Sequence, residues 1–442
     1  MKLFTSILGA LFLISLSLLA FEASAQDLAQ DIALASHDSG DTAWILTSTA
    51  LVLFMTIPGL ALFYGGLVRS QSVLSVLMHC FVICCMASVL WLVGVYSLAF
   101  SDGGDLQGFI GGLDKMALIG VGKDALSGNI PESVFFMFQM TFAIITPALI
   151  VGAYVERIRF SAMLIFSALW LVFVYAPVCH WVWGGGWLGQ MGVLDFAGGL
   201  VVHVTAGTAA IVIALMMRTR RGFPGHVKPP HSPGMTMTGA AMLWVGWFGF
   251  NAGSALAADG SAGMAMLVTH ISAATASLVW MAIEWAKYGK PSLIGTVTGT
   301  IAGLATITPA AGFVGPLGGL IIGTVSAIIC FYAVVLVKSR LKIDDSLDVM
   351  AVHGVGGATG IILVSVLATE SFGGFGLAEG MTITSQLSVQ IIAIVATLIW
   401  TAVISCIILK VAEKMVGSLS VNEDEEVEGL DIMVHGEKAY EI

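Results

Sequence analysis

Eleven apolar runs, each about the 20 residues needed to cross a bilayer, are strung between short polar connections: roughly 43 to 67, 73 to 100, 132 to 155, 161 to 179, 196 to 217, 235 to 257, 262 to 283, 292 to 312, 315 to 337, 349 to 367 and 387 to 410. At membrane depth a helix satisfies its own backbone hydrogen bonds, so the pattern predicts an all-α membrane protein with eleven transmembrane helices. Ahead of the runs, Met1 to Ala25 has one Lys, a Leu-rich core and an Ala23-Ser24-Ala25 ending. It reads as a secretory signal peptide, with an uncleaved first helix as the alternative. Residues 26–412 are then the transmembrane domain and 413–442 a cytosolic tail.

Ionisable groups are costly at membrane depth and mark pathways by default, and two of the runs carry a histidine at matched spacing from an acid. Asp195 stands eight residues before His203, and Gly207 four residues after it; Asp345, His353 and Gly357 repeat that spacing. Eight helical residues would carry each imidazole about 12 Å inward, from the outer face for Asp195 and the inner face for Asp345. Spans one to five and six to ten then read as two copies. An odd number of spans per copy makes the second inverted, a plan in which the substrate path runs along the repeat interface. The eleventh helix is peripheral.

Composition adds that 57% of the 442 residues are hydrophobic and 10% charged, with a mean hydropathy of +0.96. That excludes an ordinary soluble domain, and no nucleic-acid surface is implied. The net charge of -10 reflects acids in outer loops and the tail. The six cysteines make no metal-ligand spacing and read as small buried hydrophobes. With the mature N-terminus outside, fifteen basic residues fall on the inner side and only Lys115 and Lys123 on the outer. This sets the orientation and places the tail in the cytosol.

Five stretches together carry a family resemblance: Asp195 to His203, Gly246-Trp-Phe-Gly-Phe-Asn-Ala-Gly-Ser254, Glu156-Arg-Ile-Arg-Phe160, Lys290-Pro-Ser-Leu293 and Asp348 to Gly354. In order and spacing they resemble the Amt branch of the Amt/Mep/Rh ammonium transporters, over nearly the whole mature chain. The resemblance implies no enzyme and no cofactor or metal. It implies a homotrimer in the bacterial inner membrane, in contact with membrane lipids, with one pore per subunit moving ammonium inward and accepting methylammonium as an analogue.

It also implies roles for particular residues. Trp183, Phe142 and Ser254 form an outer cation site, where an aromatic face and an acceptor suit a small cation with four donors; read alone, Trp183 is an interfacial belt residue. Phe142 and Phe250, with Phe138 alongside, close the path to hydrated ions as two stacked rings; read alone they are core phenylalanines. His203 and His353 form a pore and proton relay. Bare ammonium in a dry passage would lose hydration worth tens of kcal/mol, so deprotonation at the outer site, with the proton carried separately, is the favoured mechanism. A buried adjacent pair disfavours two positive charges, leaving neutral rings that donate and accept. Asp195 is a scaffold carboxylate at a helix start whose field also favours a cation nearby. Asp345 and Asp348 cap the tenth helix and shape the exit. The other seven histidines receive no role.

The tail holds Glu423-Asp-Glu-Glu426, Glu428-Gly-Leu-Asp431 and His435-Gly-Glu-Lys-Ala-Tyr440. An acidic run alone is a solvated tail, but the resemblance implies packing on the cytosolic face and docking of a PII signal protein. The other readings are a proton-coupled carrier for another small solute, an ammonium sensor, and a membrane haem protein using the two histidines as axial ligands.

Overall fold

Helix occupies every one of the eleven apolar runs. In the computed structural model, which describes residues 37–441, α1 is Ser39–Leu67, α2 Ser70–Phe100, α3 Glu132–Tyr154, α4 Phe160–Gln190, α5 Gly199–Met216, α7 Gly260–Tyr288, α9 Pro316–Arg340, α10 Met350–Leu367 and α11 Ile383–Val416. These nine are long and apolar enough to cross a membrane. The remaining two are α6, Pro233–Gly253, whose Gly, Thr and Asn residues dilute its apolar content, and α8, Leu293–Ile307, which is only 15 residues long. The expected signal peptide lies outside the described residues.

The two histidine helices cross at glycine. A methyl group on Gly207 would strike the backbone of Gly354, and one on Gly357 would lie 3.4 Å from the Val204 nitrogen. Val204 and Gly354 are each one residue beyond their histidine, and Gly207 and Gly357 each four beyond, so the contact is the same when the copies are exchanged. A methyl on Gly357 would also come within 2.8 Å of the Gly199 carbonyl oxygen. The residue four after His353 therefore meets the residue four before His203, and α5 and α10 run in opposite directions. Small residues permit this backbone approach where no hydrophobic force drives helices together in lipid.

The rise from acid to imidazole is shorter than eight helical residues. Helix starts only at Gly199 and Met350, and both first turns, Gly199–Val204 and Met350–Gly354, are wound as π-helix. The residues before them are used in turns instead. Gly198 has φ +115 and Asp348 φ +64, because each acid folds back to collect backbone N–H groups. One extra residue per turn widens the helix there, as is frequent at functional positions.

The end opposite Trp183 is held by buried ion pairs. Arg157 and Arg220 both grip Asp344, at 2.7 and 2.8 Å, and Arg157 adds Ser346 at 2.7 Å. The pairs tie the turns after α3, after α5 and before α10 together. Burial alone would raise the Asp344 carboxyl, but the two guanidinium groups overrule it and hold it below the usual carboxylate range. Burial lowers Arg157 to about 10, still charged at neutral pH.

The tail is not a solvated run. Its helices α12, Glu423–Glu428, and α13, Leu430–His435, lie on this same end, with Glu426 and Asp431 only 2% and 1% exposed. Glu426 pairs with Arg218 and accepts the Arg221 N–H at 2.8 Å, while its carbonyl accepts Arg69 at 2.9 Å. Asp431 accepts the Leu74 and Ser75 N–H groups at 3.0 and 2.7 Å, capping α2 from outside its own segment.

Candidate functional site

At the Trp183 end, regular helix in α4 stops at Val182 because Gly184, Gly185 and Gly186 follow, with Gly185 at φ +84. Trp183 is thereby turned inward, and its indole N–H donates to the Asp195 carbonyl at 2.9 Å. The Asp195 carboxylate accepts N–H groups from Gly198, Gly199, Leu200 and Val201 at 2.9, 2.5, 2.7 and 3.3 Å. The scaffold reading of Asp195 thus has a geometric basis: one residue holds both the start of α5 and the indole. Gly198 lies beneath that indole, where a Cβ would stand 3.3 Å from the ring.

From Trp183 an unbroken column of rings leads to the histidines. The Phe142 ring meets Trp183 edge to face, 5.8 Å between centroids at 82°. Phe138, one helical turn away on α3, meets Phe142 at 5.1 Å. Phe142 and Phe250 lie 4.5 Å apart, inclined at 48° and so tilted instead of parallel. Phe250 stacks on His203 at 6.0 Å and 17°. The His203 and His353 rings lie edge to edge, with centroids 5.2 Å apart and planes inclined at 25°, and their Nδ1 atoms are 3.2 Å apart. That separation leaves no room for a porphyrin between the imidazoles, which removes the haem reading. Ser254 joins through Phe250: its hydroxyl donates to the Phe250 carbonyl at 2.8 Å, leaving its lone pairs to accept.

The space around the column changes abruptly at His353. Between Phe250 and the histidines there is a cavity of about 10 Å³, lined also by Trp247, Leu243 and Ile145. That is about the volume of a single water, and its apolar walls offer a water few partners. On the other side His353 lines a vestibule of about 420 Å³ shared with Tyr64, Arg220, Lys338 and Asp348. The passage is closed by the phenylalanines on one side and open on the other.

This geometry coincides with a family match over residues 43–440, to the model described as the Ammonium Transporter Family. The chain belongs to that family. The ammonium transporter of Bacillus subtilis (strain 168) is 46% identical over 406 residues, 91% of this chain and 98% of that protein. Among solved structures, the crystal structure of Saccharomyces cerevisiae Mep2 superposes with a TM-score of 0.80 at 35% identity, covering 88% of this chain and 89% of that one. A structure described as a sensor Amt protein gives a TM-score of 0.83 at 28% identity, covering 89% and 98%. The family is one of transporters, not enzymes.

In this ammonium transporter family member the two acids before α10, Asp345 and Asp348, divide their work. Asp345 caps α10, accepting the Met350 N–H at 2.7 Å; burial and the neighbouring Asp348 push its carboxyl up to about 7. Asp348 does not share the cap, because its carboxylate turns to the Lys338 ammonium at 2.8 Å, on the vestibule wall. Two residues of the site escaped the sequence reading. Trp247 stacks on His203 at 5.6 Å and was visible only as part of the Gly246 to Ser254 motif. Thr308, just past α8, touches both Trp247 and His203, and nothing in its sequence surroundings marked it. His180, also without a role in the sequence reading, is buried with its ring nitrogens against the Ala99 and Gln107 carbonyls at 2.9 and 2.7 Å, bracing the turn that carries Trp183.

Proposed function

We propose that this protein carries ammonium inward across the cytoplasmic membrane of a bacterium, binding it as the cation and passing it onward as ammonia and a separate proton. The cation sits against Trp183 and Phe142 with the Ser254 oxygen as acceptor; a desolvated cation–π contact of this kind contributes about 2 kcal/mol. There it gives up a proton. Ammonia slips past Phe142 and Phe250, with Phe138 alongside, into a passage too small and apolar for a hydrated ion. His203 and His353 carry the proton and offer ammonia its hydrogen-bond partners before the vestibule rehydrates it. The observation that carries the reading is the continuous column from Trp183 to His353, dry above and open below.

The rest of the reading concerns surroundings. The mature N-terminus is periplasmic and the tail cytosolic, in line with the basic residues gathered around the tail. Exposed side chains such as Phe81, Val89, Leu278 and Ile399 face membrane lipids, and three copies assemble as a homotrimer. The docked tail offers a PII protein its cytosolic platform. Currents from reconstituted protein test the central claim: ammonium and methylammonium should evoke current and potassium none. A potassium current as large as the ammonium current would overturn it.

A further inference from the structure

Thr308 stands where three hydrogen bonds meet on one hydroxyl. Its Oγ1 lies 2.8 Å from the Leu304 carbonyl oxygen, 2.9 Å from the Trp247 indole nitrogen and 3.3 Å from His203 Nε2. A hydroxyl has one proton and two lone pairs. Leu304 presents only a carbonyl, so it must receive the proton. The indole N–H can only donate, so it takes one lone pair. What remains for His203 is the second lone pair, and Nε2 must therefore carry a hydrogen.

The consequence passes along the pair. A neutral imidazole has a single N–H, so His203 Nδ1 is bare and accepts. His353 Nδ1, 3.2 Å away, must then be the donor, which leaves His353 Nε2 as the one ring nitrogen of the two without a hydrogen or a hydrogen-bonded proton facing it. We infer that Thr308 is a positioning residue that sets the resting tautomers of both histidines, to which the pair returns after each proton has passed, and gives the resting pair a direction, with its only free acceptor on His353. An N–H group descending the pore finds its acceptor at His353 and not at His203. The roles of the atoms follow from which partners can give a proton and which cannot.

This inference rests on the histidine pair lying in the conduction path, but its test need not. Nitrogen-15 spectra of histidine-labelled protein in liposomes, assigned through single histidine substitutions, distinguish protonated from bare ring nitrogens. His203 should show a protonated Nε2 and a bare Nδ1, and His353 the reverse. Thr308→Val keeps the shape, removes the acceptor and should let His203 populate both tautomers, whereas Thr308→Ser should keep the wild-type pattern. The maximal ammonium current should fall on the order of tenfold in Thr308→Val, the effect of one lost orienting hydrogen bond, with half-saturation unchanged and recovery in Thr308→Ser. A wild-type His203 protonated on Nδ1, or tautomers indifferent to Thr308→Val, would overturn the inference. Tautomers that move while current does not would uphold it and instead remove the relay from the proposed function.

Discussion

Gly207 and Gly354 meet backbone to backbone, with no space for a methyl group between them. The distance between the His203 and His353 rings is therefore set by two absent side chains. Gly207→Ala should force α5 and α10 apart, at a cost of about 1–3 kcal/mol for overpacking, and should separate the imidazoles. We expect a lower thermal midpoint and loss of most ammonium current. Gly94→Ala, on α2 with nothing within 4 Å of the new carbon, should leave both unchanged. Equal effects from the two substitutions would show that close packing at the crossing is not what holds the pair.

In the proposed function the column above the histidines excludes hydrated ions by size, and the neutral histidines present no charge that would draw a cation in. Replacing His353 by Asp, or His203 by Asp, places a carboxylate in the dry segment, which draws in water and a compensating cation. Such variants should retain ammonium-evoked current and admit potassium. His203→Ala combined with His353→Ala should lose most current. Potassium-driven currents through the acidic variants check this; complete exclusion with current retained would assign selectivity to Phe142 and Phe250 alone.

The helices and the main column were legible in the sequence for different reasons. Apolar runs of membrane length leave little choice of secondary structure, so helix appears at all eleven. Phe142, Phe250, Trp183 and the histidines were legible through motif resemblance and the repeated Asp-to-His spacing. What escaped depends on contacts between distant residues: Thr308 is 105 positions from His203, and Arg157 is 187 from Asp344. The π-wound turns escaped too, because the acid that collects N–H groups from the following residues decides where helix begins. Hydropathy is the same whether Phe196 to Gly198 are helix or turn.

Asp345 makes stability depend on pH in a direction opposite to that of an ion-paired carboxylate. Burial and Asp348 raise its folded value to about 7, above that of an unfolded carboxyl at about 3.9. The folded state therefore holds a proton that the unfolded state releases between these values. Its contribution to stability is full below the unfolded value and lost as pH rises through about 7. Asp345→Asn, which cannot ionise and can still accept the Met350 N–H, should gain thermal stability relative to wild type from pH 4 to 7 and no more above it. Thermal scans across that range decide; a difference independent of pH would mean that Asp345 is ionised throughout.

Asp431 holds the tail through an unusual exchange of roles, because a residue of α13 supplies the cap that α2 lacks. Around Ser70–Ser72 the start of α2 is a short 3-10 turn with no capping side chain of its own, so Leu74 and Ser75 have N–H groups with no partner in their own helix. Asp431→Ala should weaken tail docking by roughly the 1 kcal/mol typical of a lost cap, about fivefold in the docked population. Adding Glu426→Gln, which removes the charge facing Arg218, should weaken it further. Limited proteolysis near Gly417, at φ +81 the point where α11 ends, reads the docked fraction directly: cleavage should accelerate in Asp431→Ala and more so in the double variant, with the transmembrane region intact. If a PII protein docks on this platform, its co-purification should decline in the same order. Cleavage as slow as in wild type would show that α12 and α13 are held by their apolar contacts, with the two carboxylates as bystanders.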